Sequence, residues 1–439
     1  MRRLLTVLAT TSLLFGLLAS PVSAGVDGPV VFNVDNVEDL YDAVAVPGAI
    51  VNLAPGEYLL DPSAPNEGRL DLADGVDLRG PSSLSTGPHG LPDVDGTGAP
   101  VFHKDGEPAV IDGSDLTPDT FGKGIIVVGD KGTVRDLWVR GSVVPTPDPF
   151  SRFLGRPGIE ITSRGTVTGN VVERTTIGLR VRSDSDENVR GTVVGNYVFD
   201  GLMGVVAIPV GADDTFTSRS TITASFRANR VVDVAFNGLL IAGGLSGDNN
   251  VVSVDTSDNV IQSAGIGMFV ETRGGGGLDP DPSDIRGASR NQITFTSTRD
   301  SFDGVGGGYL ISGAIREYLF DPDGGPPLIG GESNDNTIIG TIHKAKIENA
   351  FFDIVAEAAT TAVFPPPGDA PVSGYNNVVT LTLRGIQGSG APFNVFVADS
   401  TPSAPGSGND VVITQSRNHN EKANSGLDFT AVPDGDFSK

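Results

Sequence analysis

One pattern recurs through most of this 439-residue chain. An asparagine is followed by two or three residues rich in valine and isoleucine, then a polar stretch, then a small residue that begins an alternating apolar run, as in Asn196-Tyr197-Val198 and Gly204-Val205-Val206-Ala207-Ile208. The asparagines are 26, 33, 30, 32, 45, 41 and 32 residues apart: Asn170, Asn196, Asn229, Asn259, Asn291, Asn336, Asn377 and Asn409. Constant strands with one variable connection predict a solenoid in which each repeat is a coil stacked on its neighbours.

The residue types of the repeat suit such a coil. Asparagine tolerates the left-handed backbone of a sharp corner, and stacked asparagines can join their amides in a ladder. The second residue after each asparagine is apolar and β-branched in all eight repeats: Val172, Val198, Val231, Ile261, Ile293, Ile338, Val379 and Val411. We therefore predict an all-β fold, a single-stranded right-handed parallel β-helix of about ten coils, with two strands in each repeat and this row facing inward.

The segment before the repeats predicts a cap for the first coil. Asn36 precedes Val37, Leu40, Tyr41 and Val44 at helical spacing, which predicts a short amphipathic helix with an asparagine N-cap. Such a helix would cover the apolar end and the unpaired strand edge of an open coil.

The next strands carry a family resemblance. They contain Pro55-Gly56-Glu57-Tyr58 and Gly75-Val76-Asp77-Leu78-Arg79-Gly80, and coils with the asparagine pattern follow. In this order the chain resembles the pectin-lyase-like superfamily over residues 30 to 430. The resemblance implies a right-handed parallel β-helix. It does not select an activity, because that superfamily includes lyases, hydrolases, epimerases, esterases, tailspikes and inert surface proteins.

The N-terminus predicts export. Arg2 and Arg3 precede an apolar stretch from Leu4 to Leu18, and Val22-Ser23-Ala24 resembles a cleavage site. We expect residues 1–24 to be a signal peptide, 25–80 the N-terminal cap and first coils, 81–430 the β-helix with loop insertions on one edge, and 431–439 a polar tail. The chain has no cysteine. We expect a secreted (extracellular or periplasmic) protein of bacterial type.

The charge of the chain restricts its partners. The leader holds two of the 30 basic residues and none of the 54 acidic ones, so the mature chain would carry 28 − 54 = −26 charges. Such a surface repels nucleic acid and anionic lipid, and no later segment is apolar for long enough to span a membrane. The sequence does not distinguish a monomer from an oligomer.

The catalytic patterns of the superfamily are incomplete here. The pectin hydrolases of this fold use Asn-x-Asp, Asp-Asp, Gly-His-Gly and Arg-x-Lys; Asp213-Asp214 occurs, in a polar loop, but Gly-His-Gly and Arg-x-Lys are absent. The calcium-dependent pectate lyases resemble one another in Trp-x-Asp-His and Arg-x-Pro-x-x-Arg, and neither is present. The four histidines lie far apart along the chain.

Long insertions follow the second strand of the repeat at one register, so they should project from one edge of the cylinder as a wall. This wall is acidic. Five aspartates from insertions of adjacent coils provide hard oxygen ligands, and we take them as a candidate Ca²⁺ site: Asp279, Asp281, Asp284, Asp321 and Asp323. Solvated loops shaped by proline and glycine are the alternative.

Beside the wall, strand alternation points Glu160, Arg180 and Arg182 outward, with Glu160 and Arg180 at equivalent positions of successive coils. They form either a cross-strand ion pair or the charged floor of a sugar-binding groove. Val206 and Leu240 continue the row with apolar side chains, so the wall should fold over that face. The candidates for neutralising a uronate or serving as a base are Arg180, Arg182, Arg273, Arg316 and Tyr318.

We therefore predict a secreted β-helix protein that binds or processes extracellular polysaccharide through loops along one edge. The alternative is a non-catalytic surface or matrix protein with a structural or adhesive role. An enzyme of this kind would be a polysaccharide lyase or a glycoside hydrolase, and the residues do not decide whether the chain is catalytic.

Overall fold

The structure is a computed structural model, and it describes residues 28–103, 106–119, 122–143, 155–211, 217–245, 247–274, 287–319, 328–329, 331–362, 374–389, 393–398, 408–420 and 429–431. The leader, the polar tail after Ala431 and all five aspartates of the candidate calcium site lie outside these residues. The predicted domain boundaries stay predictions.

The described strands from Val31 to Ala431 form one stack, and all but one of the pairings between these strands are parallel. One side of the stack, which we call the flat sheet, is an all-parallel sheet of twelve strands: Val31–Val34, Ile50–Leu53, Asp77–Arg79, Gly132–Arg135, Arg164–Thr168, Asn188–Val194, Thr221–Arg227, Val251–Ser257, Gln292–Thr298, Thr337–His343, Val378–Arg384 and Asp410–Ser416.

The other side has two columns of strands. The short-strand column contains Gly56–Leu59, Ala109–Asp112, Leu137–Arg140, Val171–Glu173, Tyr197–Phe199, Ser301–Asp303, Lys346–Glu348, Gln387–Gly388 and His419–Asn420. The long-strand column contains Leu70–Asp71, Ile126–Val128, Ile159–Ile161, Ile177–Ser183, Met203–Pro209, Gly307–Leu319, Phe352–Glu357, Thr360–Ala362, Phe393–Ala398 and Phe429–Ala431. Two strands, Arg230–Leu245 and Val260–Gly274, run through both columns, and Leu328–Ile329 pairs antiparallel with the end of Gly307–Leu319.

Each full coil thus has three strands, where the sequence predicted two. The reason is that the asparagines belong to two different corners. Asn170, Asn196, Asn229 and Asn259 lie between the flat sheet and the short strands, whereas Asn291, Asn336, Asn377 and Asn409 lie before the flat sheet. The expectation that all eight asparagines occupy the same corner of the coil was wrong.

Both corners carry the predicted amide ladder. Side-chain amides of successive coils are 3.0 Å apart from Asn170 to Asn196 and from Asn196 to Asn229, and 3.0 to 3.2 Å apart along the second row. Asn250 heads the second row by donating its backbone N–H to Asn291. All eight predicted inward residues are buried, with at most 1% of their surface exposed. They join a core that runs the length of the stack.

The capping helix was predicted correctly. It spans Val37–Val44, and the side chain of Asn36 accepts the backbone N–H of Asp39 at 2.9 Å. Leu40, Ala43 and Val44 are buried. Two 3₁₀ turns, Pro65–Gly68 and Pro88–Gly90, complete the regular elements. No helix among the described residues is long and apolar enough to cross a membrane.

Candidate functional site

The first predicted group of charges is a buried ion-pair cluster. Glu160 and Arg180 are register partners on adjacent long strands, as expected. One carboxylate oxygen of Glu160 accepts Arg180 at 2.6 Å and the other accepts Arg182 at 2.5 Å. The side chains of all three are at most 2% exposed.

Distant segments of the chain cover this cluster. The carbonyl of Gly122 accepts a second hydrogen bond from Arg180, and the backbone N–H of Gly124 donates to Glu160 at 2.8 Å. The carbonyl of Val210 accepts from Arg182. Burial acts to raise the pKa of Glu160, but the two guanidinium charges and their hydrogen bonds outweigh it and lower that pKa to about 2. Of the two interpretations left open by the sequence, the geometry is that of an ion pair.

The other candidates lie elsewhere on the long-strand column. Arg273 is 2.7 Å from Glu271 and lies over the ring of Phe269 at 5.9 Å from its centroid. Arg180, Val206, Leu240 and Phe269 are register partners on successive coils. Arg273 with Phe269 therefore lies three coils from the ion-pair cluster of Arg180, about 14 Å at the usual strand spacing. Arg316 and Tyr318 lie in the strand Gly307–Leu319, and their side chains are outside the described residues. The described structure therefore does not bring these five candidates into one site.

The long insertions do connect the long strands to the flat sheet, at the register predicted. Where they are described, their aspartates pair with arginines of the next coil: Asp186 with Arg219 at 2.6 Å, and Asp248 with Arg290 at 3.3 Å. Within the part of the chain that the structure describes, no three acidic or histidine side chains are grouped as a metal site would require.

A pocket of about 300 Å³ opens at the third corner, between the short and the long strands. It is lined by Val143, Asp200, Gly201, Leu202, Asp233, Val234 and Ala235. Its two aspartates follow Phe199 and Val232, which are register partners, so they occupy equivalent positions of successive coils, with backbones about 4.8 Å apart. Both have positive φ, 55° and 53°, as this tight corner requires.

The two carboxyls of the pocket have different surroundings. Asp200 accepts Arg174 at 3.3 Å across the coils. Even so, burial is the largest effect, and together with the charges of Glu173 and Asp233 it raises the pKa of Asp200. Asp233 is exposed. A carboxyl that keeps its proton to higher pH beside an exposed carboxylate can donate a proton while its neighbour accepts one.

A charged stripe borders the pocket on the short-strand column. Arg140 is 2.6 Å from Glu173, 3.0 Å from Asp112 and 2.8 Å from Glu57. In the next coil Phe199 occupies the position equivalent to Glu173. An aromatic face, a guanidinium and several carboxylates thus lie along one line of the cylinder, beside the pocket.

Sequence reasoning missed this site, although a signal was present. Asp200 and Asp233 are each the fourth residue after a corner asparagine, as are Arg174 and Ser263. All four have positive φ. The position is the third corner of the coil, and it falls in the polar stretch between the two predicted strands.

Comparison with known proteins gives no family for the chain: no family model and no curated protein matches it. Solved structures match at low similarity. The A-module of a mannuronan C-5 epimerase from Azotobacter vinelandii is 14% identical, with 92% of this chain and 100% of that chain covered and a TM-score of 0.38. An endo-xylogalacturonan hydrolase from Aspergillus tubingensis is 12% identical, with 92% and 99% covered and a TM-score of 0.42.

The catalytic unit of a GH87 α-1,3-glucanase from Streptomyces thermodiastaticus is 13% identical, with 96% of this chain and 70% of that chain covered and a TM-score of 0.38. At these identities and TM-scores, the three structures do not identify site residues in this chain. The strand register described above is that of a parallel β-helix.

Proposed function

We propose that this chain is a secreted β-helix protein that binds extracellular polysaccharide along its side, with the corner pocket holding one sugar unit. The observation that carries this proposal is the pocket itself: it has room for a small polar ligand, it opens to the surface, and two carboxyls line it beside Phe199. Sugar hydroxyls are donors and acceptors at once, so a pair of carboxyls suits them.

The same pair supports a chemical role in hydrolysis. Asp200 and Asp233 lie on successive coils with backbones about 4.8 Å apart, and glycosidases use such a pair of carboxyls on either side of the bond that they cleave. Asp200, with its raised pKa, would protonate the glycosidic oxygen as the bond to the leaving group breaks. Asp233 would attack the anomeric carbon as a carboxylate, and water would later release the sugar with Asp200 acting as the base.

Elimination is less favoured at this pocket. A lyase needs a cation that neutralises a uronate and a base beside it. Arg180 and Arg182, which the sequence proposed for these roles, are paired with the buried Glu160 instead. The processing activity that we propose is therefore hydrolysis.

The test replaces each carboxyl by its amide. Asp200→Asn and Asp233→Asn should each weaken binding to a soluble polysaccharide by at least tenfold, measured by calorimetry on a panel of xylan, α-glucan, alginate and pectin. Reducing ends should appear with the parent protein and fall to background in both variants. Asp130→Asn is the matched control, because Asp130 pairs with Arg164 at a corner of the flat sheet. Equal binding by the parent, both pocket variants and the control would refute the assignment of the site.

A non-catalytic role as a surface or adhesion protein is the second candidate, and the flat sheet favours it. In its last seven strands, from Asn188–Val194 to Asp410–Ser416, the outward positions are in register, and 15 of those 28 are threonine or serine. These positions are partly or fully exposed. Such a surface is also what β-propensity alone would select. Binding to particulate polysaccharide that survives both pocket variants but is lost in Thr296→Lys and Thr341→Lys would support this second role.

A further inference from the structure

An aromatic strip runs along the short-strand column and ends at the pocket. Trp138 and Tyr197 occupy one register row, separated by Val171, and Phe199 lies in the neighbouring row. The rings of Tyr197 and Phe199 are 5.4 Å apart, and those of Trp138 and Phe199 are 6.4 Å apart. Because Phe199 directly precedes Asp200, the strip continues the pocket along the axis of the cylinder.

Residues 81–103, which we call the arm, lie over this strip. The arm leaves the stack after the strand Asp77–Arg79, and its own backbone hydrogen bonds form a small antiparallel meander, with bridges Leu84–Phe102, Thr86–Pro92 and Val94–Pro100. The ring of Phe102 is stacked on Trp138, with centroids 6.0 Å apart and planes 17° apart.

The arm docks on side chains of the column. The hydroxyl of Tyr197 donates to the carbonyl of Gly98 at 2.6 Å, and Arg230 donates to the carbonyl of Pro92 at 3.1 Å. The apolar contacts form a small cluster separate from the main core, in which Leu84, Val94 and Phe102 of the arm meet the strip. An attachment of this kind can be released without disturbing a strand of the stack.

One buried polar atom lies under the arm. The indole N–H of Trp138 is buried and donates no hydrogen bond to any described residue. A buried donor without an acceptor is unfavourable, so the covered state leaves an interaction unmade. A hydroxyl seated on the strip would accept this hydrogen bond, and the faces of Trp138 and Phe199 suit the apolar face of a sugar ring.

We propose that the strip of Trp138, Tyr197 and Phe199 is a stacking surface for pyranose rings that extends the corner pocket, and that the arm covers it. The proposal rests on the proposed function, because it assigns further subsites to the same polysaccharide. With the arm in place the ligand contacts the pocket alone. When the arm is displaced, successive rings lie on the strip from Phe199 towards Trp138.

The experiment uses the only tryptophan of the chain as its reporter. In one variant a Gly-Ser-Gly linker replaces residues 84–102. The backbones of Ser83 and His103 are hydrogen-bonded at 3.0 Å, so a short linker closes the gap. In a second variant the arm keeps its length but loses its apolar contacts: Leu84→Ser, Val94→Ser and Phe102→Ser. The matched control replaces two exposed residues of the arm, Thr86→Ser and Ala99→Ser.

The probes are cellohexaose, xylohexaose and hexagalacturonate, which differ in the hydroxymethyl group and in charge. Removing or loosening the arm should raise acrylamide quenching of Trp138 and shift its emission to the red. At least one probe should then bind tenfold more tightly than to the parent and return the emission to the blue. Trp138→Ala in the deletion background should abolish the gain, measured by calorimetry.

Folded variants with an exposed Trp138 and no gain for any probe would overturn the proposal. If the deletion fails to fold, the serine variant decides alone. If the parent binds through Asp200 and Asp233 but the arm variants gain nothing, only the strip is refuted. If no variant binds any of these probes or any polysaccharide of the panel used to test the pocket, the proposed function falls with it.

Discussion

Asp300 is the carboxyl at the end of a ladder whose other members, Asn170, Asn196, Asn229 and Asn259, are amides. It ends the first ladder by accepting the side chain and the backbone N–H of Asn259, both at 2.9 Å. Its second oxygen accepts the hydroxyls of Thr256 and Ser297. The side chain is fully buried, and burial raises its pKa despite these four donors.

Asp300→Asn should therefore change the pH dependence of stability. A carboxyl with a raised pKa in the folded state contributes its full stability below the unfolded pKa of about 3.9, and that contribution is lost as the pH rises through the folded pKa. The amide does not titrate. The free energies of unfolding of the variant and the parent should differ by no more than about 1 kcal/mol at pH 3.5. As the pH rises towards neutrality, the variant should become more stable relative to the parent.

Urea unfolding from pH 3.5 to 7.5 measures this difference. Asp258→Asn is a control with the opposite sign, because the hydrogen bond from Arg299 lowers the pKa of Asp258. The contribution of Asp258 is present above the unfolded pKa and is lost as the pH falls, so its removal should cost more at pH 7 than at pH 3.5. A stability difference between Asp300→Asn and the parent that does not vary with pH would show that Asp300 has an ordinary pKa.

At the scale of the element, the small residue of the repeat lies where each coil enters the long-strand column. Gly178, Gly204, Gly238 and Gly267 form a row in which a Cβ would meet both the glycine carbonyl of the next coil and an inward side chain of the core. At Gly238 these are the carbonyl of Gly267 and the side chain of Ile261. The row is glycine because the backbone of one coil lies directly on the core of the next.

Gly238→Ala should consequently destabilise the protein by about 1–3 kcal/mol, the usual cost of overpacking a core. Thermal and urea unfolding measure the change. Gly96→Ala is the control, because its Cβ would meet no atom within 4 Å and its φ is not positive. If both variants unfolded with the same midpoint, the close approach at Gly238 would not constrain the stack.

The elements also show why sequence reasoning recovered the fold but not the site. Inward residues such as Val231 and Ile338 are β-branched whichever corner precedes them, so their periodicity predicts a parallel coil even when two corners are confused. The third strand was missed because the flat-sheet strand precedes the asparagine in the first four repeats but follows it in the last four. Burial of Glu160 depends on Gly122 and Gly124, which lie 38 and 36 residues earlier in the chain. Contacts of that kind leave no periodic signal.

At the scale of the whole molecule, the connections to the flat sheet decide how the acidic charge is balanced. In the described connections, Asp186 and Asp248 are balanced by arginines one coil away. The stretches 275–286 and 320–327 lie outside the described residues, and their sequences contain five aspartates, but Arg286 is their only basic residue. The candidate calcium site of the sequence consists of these five aspartates.

Calcium should therefore stabilise the native protein if these aspartates converge. A ligand that binds only the folded state raises stability by RT ln(1 + [L]/Kd), about 2.7 kcal/mol at a hundredfold excess over Kd. The melting temperature should rise between EDTA and millimolar Ca²⁺ at matched ionic strength, and Asp281→Asn with Asp323→Asn should remove most of that rise. Asp186→Asn, which removes an arginine-paired acid of another connection, should leave the rise intact. Coincident melts of the parent in EDTA and calcium would mean that these acids remain solvated and bind no calcium.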